Sequence, residues 1–262
     1  MQTVFAFNNA LVREPAASVV QGLRAEDRGT PTLAGVRAEH DAYVAALQAE
    51  GVDVERLPPL EAFPDSIFVE DPALVFPEGA ILLRPGAASR FGETAAIAPA
   101  LRRRFARVLE LPPPGFADGG DVLVLPGRVL IGRSARTDAA GAAALVAALA
   151  ELGRKAEIVH TPPGVLHFKS DCSLLDETTV LSTTRLAASG IFAGLRVLLV
   201  PDGEEAAANA LRVNGAVLLG TGFPATATLL RGAGYRVVEL AVQQVGLLDA
   251  GLSCMSLRWH AL

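Results

Sequence analysis

Apolar residues along the chain fall into paired short runs, and a tight turn separates the two runs of each pair. Four segments follow this plan, with turn residues such as Pro, Gly, Asp or Asn between two apolar strands: 67–86, 116–136, 166–186 and 204–224. Most pairs are followed by a stretch with helical period, such as AAGAAALVAALAELGRK, and then by a further short apolar run, as at 236–240. The pattern predicts a repeated strand–strand–helix–strand unit.

The units align on the residue that enters the first strand of each pair. Successive aligned residues are separated by 50, 51, 37 and 45 positions, and they are Asp71, Asp121, Cys172, Asn209 and Cys254. A near-constant period of this size is typical of solenoids and propellers. Five units around an axis would bring these positions together at a hub, and the N-terminal segment would complete the fifth unit beside the C-terminal strand. An ordinary α/β sheet with unrelated hairpins is the alternative.

Composition narrows the class of protein. No low-complexity linker interrupts the 262 residues, so a single domain over 1–262 is expected. A net charge of −5 argues against a nucleic-acid partner, and the absence of a run of about 18 apolar residues argues against a membrane span. There is no signal-peptide pattern, and the two cysteines form neither a disulfide framework nor a zinc motif, which favours a cytoplasmic location. Whether the chain forms a homodimer stays open.

Polar residues that the hub would gather are the candidate functional groups. They are Asp65, Glu70, Asp71, Asp118, Asp121, His167 and Cys254, with Arg90 and Arg136 in loops just past the second strands. Carboxylates among apolar strand residues are costly to bury unless they are paired or liganded. Any one of them could be structural, but several on equivalent edges would hold a cation. With two arginines at the rim, the ligand that fits is a small zwitterion with an extra positive group.

Five motifs resemble the dimethylarginine dimethylaminohydrolases of the guanidine-modifying superfamily. In chain order they are FPDSIFVEDPAL, ILLRPGAASRFGE, DGGDVLVLPGRVLIGRSARTDAAG, VLHFKS and DAGLSCMSL. The resemblance covers essentially the whole chain and implies a five-bladed α/β propeller (pentein) with pseudo-fivefold symmetry. The chain departs from the family pattern at two positions. Many bacterial members have Glu where Asp118 stands, and Phe91 replaces a basic residue that commonly follows the rim arginine.

The resemblance implies how the chemistry is divided. Cys254 is the nucleophile, His167 the general acid and base, and Asp118 the carboxylate that orients His167. The implied reaction hydrolyses N-ω-methylated arginines to citrulline and dimethylamine or methylamine through an S-alkylthiouronium on Cys254, without a metal or an organic cofactor. Because nearby carboxylates disfavour a thiolate, we also expect Cys254 to stay a thiol until a cationic substrate binds.

A substrate-binding set is implied by the same resemblance. It comprises Asp71 with Glu70 beside it for the guanidinium, Asp65 with the main chain at Leu23 for the α-ammonium, and Arg90 with Arg136 for the α-carboxylate. From the residues themselves, segment 22–34 is a candidate lid, with an ordinary surface loop as the alternative. Asp121 is expected to brace its loop, with substrate binding as the alternative, and Cys172 is expected to be a core residue. Two rival functions remain: a related hydrolase of the arginine deiminase type that acts on free or otherwise substituted arginine, and a non-catalytic binding propeller.

Overall fold

The strands of the protein form five separate three-stranded sheets in a computed structural model that describes residues 3–25 and 27–261. In chain order they are β1 (Asn9–Arg13), β2 (Asp53–Leu57), β3 (Ala73–Phe76), β4 (Gly79–Leu82), β5 (Val108–Glu110), β6 (Val122–Leu125), β7 (Arg128–Arg133), β8 (Ala156–His160), β9 (Cys172–Leu174), β10 (Thr179–Ser182), β11 (Arg196–Leu199), β12 (Leu211–Val213), β13 (Ala216–Gly220), β14 (Arg236–Leu240) and β15 (Leu257–Trp259).

Helices join the second and third strands of the sheets. They are α1 (Leu33–Ala49), α2 (Glu93–Arg104), α3 (Ala139–Glu151), α4 (Thr184–Ala187) and α5 (Pro224–Gly232), and a short α6 (Gln243–Gly246) precedes β15. The connection in the β9–β11 sheet is reduced to the single turn of α4. No helix within 3–25 and 27–261 is long and apolar enough to cross a membrane.

Each sheet repeats the predicted unit. β6 runs antiparallel to β7, and β8 returns parallel to β7 after α3. The β3–β5, β9–β11 and β12–β14 sheets have the same pairings. The strand–strand–helix–strand prediction is therefore confirmed, and each unit forms one blade of an α/β propeller.

Both ends of the chain build the fifth blade. β15 pairs antiparallel with β1, with Trp259 opposite Asn9. β1 in turn pairs parallel with β2 after α1. The C-terminal strand thus takes the place of the first strand of a blade, as the repeat predicted.

The core lies between neighbouring blades. Leu74 and Ile81 of the β3–β5 blade pack with Leu145 and Leu149 of α3 in one continuous buried cluster. Burying a leucine or isoleucine side chain stabilises the fold by about 1.5–3 kcal/mol. Because both faces of the inner strands are covered, their sequences are continuous apolar runs such as VLVL rather than alternating ones.

Hydrogen bonds link the inner ends of adjacent blades around the axis. The donors and acceptors are Gly120 N to Asp71 Oδ1 (3.0 Å), Phe168 N to Asp121 Oδ1 (2.9 Å), Ser253 N to Asn209 Oδ1 (3.1 Å) and Glu70 N to Cys254 O (3.2 Å). Four of the five aligned residues therefore meet at the hub, which excludes the ordinary sheet. The fifth, Cys172, is buried and its thiol donates to Phe168 O at 3.3 Å, as expected of a core residue.

Candidate active site

His167 and Asp118 form a pair at the hub. The Asp118 side chain is fully buried in the loop before β6. Its Oδ2 lies 3.0 Å from His167 Nε2, and its Oδ1 accepts a hydrogen bond from Gly86 N at 2.7 Å. A carboxylate held in this way fixes the orientation of an imidazole. The shorter acid at this position therefore reaches the histidine.

Acidic neighbours favour the protonated form of His167. Burial alone opposes a charged imidazole, but the charge of Asp71, the hydrogen bond to Asp118 and the charge of Asp121 outweigh it. Together they raise the pKa of His167 to about 9. At neutral pH the ring therefore carries a proton that it can give to a leaving group.

Cys254 lies in the turn Leu252–Met255 that leads into β15. Its N–H donates to Gly251 O at 3.3 Å, and its carbonyl accepts from Glu70 N at 3.2 Å. Burial, followed by the charges of Glu70 and Asp71, raises the pKa of its thiol to about 12. The side chain is thus a thiol at neutral pH, in the direction that the sequence predicted.

Asp71 is a carboxylate whose charge affects the pKa of both His167 and Cys254. Its Oδ1 accepts from Gly120 N, and its Oδ2 accepts from Arg90 Nη1. Burial opposes its ionisation, but the charges of Arg90 and His167, together with the hydrogen bonds from Arg90 and Gly120, outweigh burial and lower the pKa of Asp71. Its negative charge raises the pKa of Cys254 and of His167 alike. Asp71 is therefore placed to attract a cationic group to the hub.

Arg90, predicted at the rim, is buried against acidic groups. Its Nε donates to Glu93 at 3.0 Å, its Nη2 donates to Glu93 at 2.7 Å and to Phe68 O at 2.9 Å, and its Nη1 donates to Asp71. A guanidinium has five N–H donors. One N–H on Nη1 has no acceptor in 3–25 and 27–261, so Arg90 can hold Asp71 and still give one hydrogen bond to a ligand.

Glu93 is a buried partner of Arg90 that sequence reasoning missed. Burial raises the pKa of Glu93 to about 7, although the charge of Arg90 opposes the change. The available signal was the spacing of three residues between an arginine and a glutamate at the start of a helix.

Asp65 is joined to the main chain at Leu23. Leu23 N donates to Asp65 Oδ1 at 2.9 Å. Burial raises the pKa of Asp65, and the charge of Arg90 opposes the change. A Cβ at Gly22 would lie 2.9 Å from Asp65 Oδ1, so this close approach depends on a glycine. The lid predicted over 22–34 stays a prediction, and residue 26 within it lies outside the described residues.

Arg136 lies half-buried in the loop after β7. A Cβ at Gly86 would lie 2.4 Å from the Arg136 carbonyl, so the Arg136 loop packs directly on the loop of Gly86. The N–H of Gly86 in turn donates to Asp118. Arg136 also lowers the pKa of Asp65 by its charge, against the larger effect of burial. Within the described part of the chain its guanidinium has no hydrogen bond or ion pair, whereas its main-chain N–H donates to Ser134. The guanidinium is available to an anion.

The Glu70 carboxylate is paired with groups of other blades, and its predicted part in binding the guanidinium stays a prediction. It accepts from Lys169 Nζ at 2.6 Å, Ser253 Oγ at 3.0 Å and Arg258 Nη2 at 3.3 Å. Sequence reasoning placed Glu70 beside Asp71 and missed Lys169 and Ser253. These contacts make Glu70 a support for the turn that carries Cys254.

A cavity of about 730 Å³ follows the inner strands and their turns. Its lining includes Glu70, Lys169, Ser253 and Arg258, but none of the residues Asp71, Asp118, His167 and Cys254. Glu70 thus lies between this cavity and the catalytic candidates.

Asp121 braces the loop that leads to the histidine. Its Oδ2 accepts from Ser134 Oγ at 2.6 Å and Thr137 Oγ1 at 2.7 Å, and its Oδ1 accepts from Phe168 N. The prediction of a structural role is confirmed. Because Phe168 follows His167, Asp121 also helps to place the imidazole.

Asp71, Asp118 and His167 are close enough to share a divalent cation, since one ligand atom from each lies within 4.8 Å of the others. Arg90 already supplies positive charge to Asp71, and His167 is paired with Asp118. That the site works without a metal or cofactor stays a prediction.

Two proteins named N(G),N(G)-dimethylarginine dimethylaminohydrolase are similar to this chain. The one from Pseudomonas aeruginosa is 37% identical over 254 residues, covering 97% of this chain and 100% of that protein. The one from Streptomyces coelicolor is 37% identical over 257 residues, covering 97% of both. A solved structure of the Pseudomonas protein, a cysteine-to-serine mutant complexed with citrulline, matches with a TM-score of 0.94 at 37% identity, covering 97% of this chain and 100% of that one.

A more distant likeness concerns the fold alone. The N-terminal domain of ArgZ, a cyanobacterial arginine dihydrolase, matches with a TM-score of 0.87 at 18% identity, covering 97% of this chain and 98% of that one. No family model matches the chain. Identity of 37% over nearly the full length of two curated relatives nevertheless settles its membership. The chain belongs to the dimethylarginine dimethylaminohydrolase family.

Proposed function

We propose that the protein hydrolyses asymmetric dimethylarginine and monomethylarginine to citrulline and the corresponding methylamine, with 1–262 as one catalytic domain. The observation that carries the proposal is the position of Asp71, whose charge acts on both Cys254 and His167. A cationic group drawn to Asp71 would lie near both a nucleophile and a proton donor. The names of the curated relatives support a methylated guanidinium as that group.

Substrate binding uses charges of both signs. Asp71 accepts hydrogen bonds from the guanidinium, and Asp65 with the Leu23 carbonyl receives the α-ammonium. Arg136 and the remaining N–H of Arg90 bind the α-carboxylate. Since the Arg136 guanidinium has no ion-pair partner in the described residues, its pairing with a carboxylate breaks no existing contact.

The substrate activates its own nucleophile. The Cys254 thiol, with a pKa raised to about 12, gains a positive neighbour when the guanidinium binds. An opposite charge within a few ångströms favours the thiolate, and the thiol proton passes to solvent. The thiolate then attacks the central guanidinium carbon, forming a C–S bond and a tetrahedral adduct.

His167 serves first as an acid and then as a base. Its imidazolium protonates the dimethylamino nitrogen, the C–N bond breaks, and dimethylamine leaves an S-alkylthiouronium on Cys254. The neutral imidazole next takes a proton from water, and the resulting hydroxide adds to the same carbon. The C–S bond breaks with its electron pair moving to sulfur, and the hydroxyl proton of the adduct passes to the Cys254 thiolate, which releases citrulline and restores the thiol. Asp118 supports the imidazolium through its 3.0 Å contact.

A substrate panel tests the proposal. Citrulline release should be measured with asymmetric dimethyl-, monomethyl-, symmetric dimethyl- and unmodified arginine, using the wild type, Cys254→Ser and, as a matched control, Cys172→Ala. We expect the first two substrates to be turned over, Cys254→Ser to bind without turnover, and the control to stay active. A preference for unmodified arginine would favour the deiminase-type alternative. Release of neither amine nor ammonia from any of these would overturn the enzymatic function.

Location and assembly belong to the same proposal. Both cysteines, Cys172 and Cys254, are free, which supports a reducing compartment such as the cytoplasm. Fractionation of the source cells would test the location.

The homodimer stays a prediction, and analytical ultracentrifugation would test it.

A further inference from the structure

A second cluster of metal-ligating side chains lies on the β1–β2 blade, away from the hub. Glu14 directly follows β1, while His40 and Asp41 are neighbours on α1. One ligand atom from each of these residues lies within 4.8 Å of the other two. Two carboxylates and an imidazole therefore converge from two elements of the same blade.

His40 is the unusual member of this cluster. It is fully buried, and neither Nδ1 nor Nε2 has a hydrogen-bond partner within 3–25 and 27–261. A buried polar group without a partner costs free energy, so most such groups in proteins are satisfied. A buried imidazole whose ring nitrogens have no partner offers a lone pair to a metal ion.

Arg56 on β2 is the cation that now occupies the cluster. Its Nη1 donates to Glu14 Oε1 at 2.8 Å and to Asp41 Oδ1 at 2.7 Å. The Arg56 side chain is 37% exposed, so it can swing into solvent. It does not contact His40 by a hydrogen bond, and the imidazole is left unsatisfied by this arrangement.

We propose that Glu14, His40 and Asp41 form a binding site for a divalent transition metal of the zinc type, which displaces Arg56. One imidazole and two carboxylates are ligands that Zn²⁺ accepts in a tetrahedral site, with water in the fourth position. Ligand atoms about 2.1 Å from zinc are about 3.4 Å apart, so the cluster must close slightly. Asp41 is 62% exposed and free to make that movement. The bound ion would fasten α1 to the end of β1.

Zinc binding should be measured by titration calorimetry with ZnCl₂. All proteins carry Cys254→Ser, so that the hub thiol does not compete for the metal. The added variants are Asp41→Asn, Arg56→Gln and, as an exposed aspartate of the same blade outside the cluster, Asp53→Asn. Asp41→Asn should weaken the affinity at least tenfold, and Asp53→Asn should leave it unchanged. Arg56→Gln should strengthen it, because the competing cation is gone.

A crystal soaked in ZnCl₂ locates the ion by its anomalous signal. A peak between Glu14, His40 and Asp41 supports the proposal. A peak only at the Asp71, Asp118 and His167 cluster overturns it, as does an affinity that Asp41→Asn leaves unchanged. Weaker binding by Arg56→Gln would also overturn it, since that result would mean that the arginine is part of the site rather than its competitor.

Discussion

Glu70 holds Cys254 in place through the main chain, because the N–H of Glu70 donates to the Cys254 carbonyl at 3.2 Å. The Glu70 side chain accepts from Ser253, the residue before Cys254. The β3–β5 blade is thus hydrogen-bonded to the turn before β15 of the fifth blade at two points. The position of the thiol depends on this junction between blades as well as on its own strand.

The first prediction concerns the ionisation of Cys254. With a pKa raised to about 12, its thiol should give no thiolate absorbance at neutral pH in the free enzyme. An inert guanidinium ligand should raise that absorbance, because its positive charge lies near sulfur. Ultraviolet titration with and without the ligand measures the change, and Cys254→Ser supplies the baseline. Strong thiolate absorbance without ligand would contradict the substrate-assisted mechanism.

Asp118→Asn tests the support of the imidazole. The variant keeps the size of the side chain but removes a charge that raises the pKa of His167. We expect kcat to fall about 10²- to 10⁴-fold, with little change in ligand binding. In a plot of kcat against pH, the fall on the alkaline side should also move to lower pH, because His167 with a lower pKa loses its proton sooner. An unchanged fall on that side would mean that Asp118 only supports the fold.

His167 should make the stability of the protein depend on pH. Its pKa is raised to about 9 from an ordinary value of 6.5, so the folded state binds the proton more tightly than the unfolded state. The resulting stabilisation is fully present below pH 6.5 and is lost as pH rises through about 9. The difference in Tm between the wild type and His167→Asn should shrink over that interval. A difference that grows with pH would contradict the assignment.

Gly22→Ala should disturb substrate binding more than chemistry. The new Cβ would lie 2.9 Å from Asp65 Oδ1, which forces that carboxylate away from Leu23. We expect KM to rise while kcat changes little, because the α-ammonium contact is remote from the reacting carbon. Gly232→Ala is the matched control, since a Cβ there meets nothing within 4 Å. Equal KM and kcat values in the two variants would mean that Asp65 does not bind the substrate.

The sequence was informative where periodicity decides the outcome. Spacing of Asp71, Asp121, Asn209 and Cys254 predicted the hub, and the unpaired C-terminal strand predicted that β1 would complete the fifth blade. Cys172 shares the same spacing but is buried in the core, because spacing defines a position along the chain and not a side-chain direction.

Partner choice between blades was not predictable from the sequence. Glu70 and Asp71 are adjacent carboxylates, yet one pairs with Lys169 and the other with Arg90. Successive residues point in different directions, so Glu70 meets Lys169 of the β9–β11 blade whereas Asp71 meets Arg90 of its own blade. Glu93 was missed for a similar reason, since its buried position depends on how α2 packs beside the hub.

The fifth blade closes only when β15, which follows Cys254, pairs with β1. β15 pairs with β1, so the sheet of β1 is complete only after β15 has been synthesised. A nascent chain interrupted before residue 254 carries neither Cys254 nor the strand that follows it. Translation must therefore pass through all five units before the thiol of Cys254 and the sheet beside it exist together.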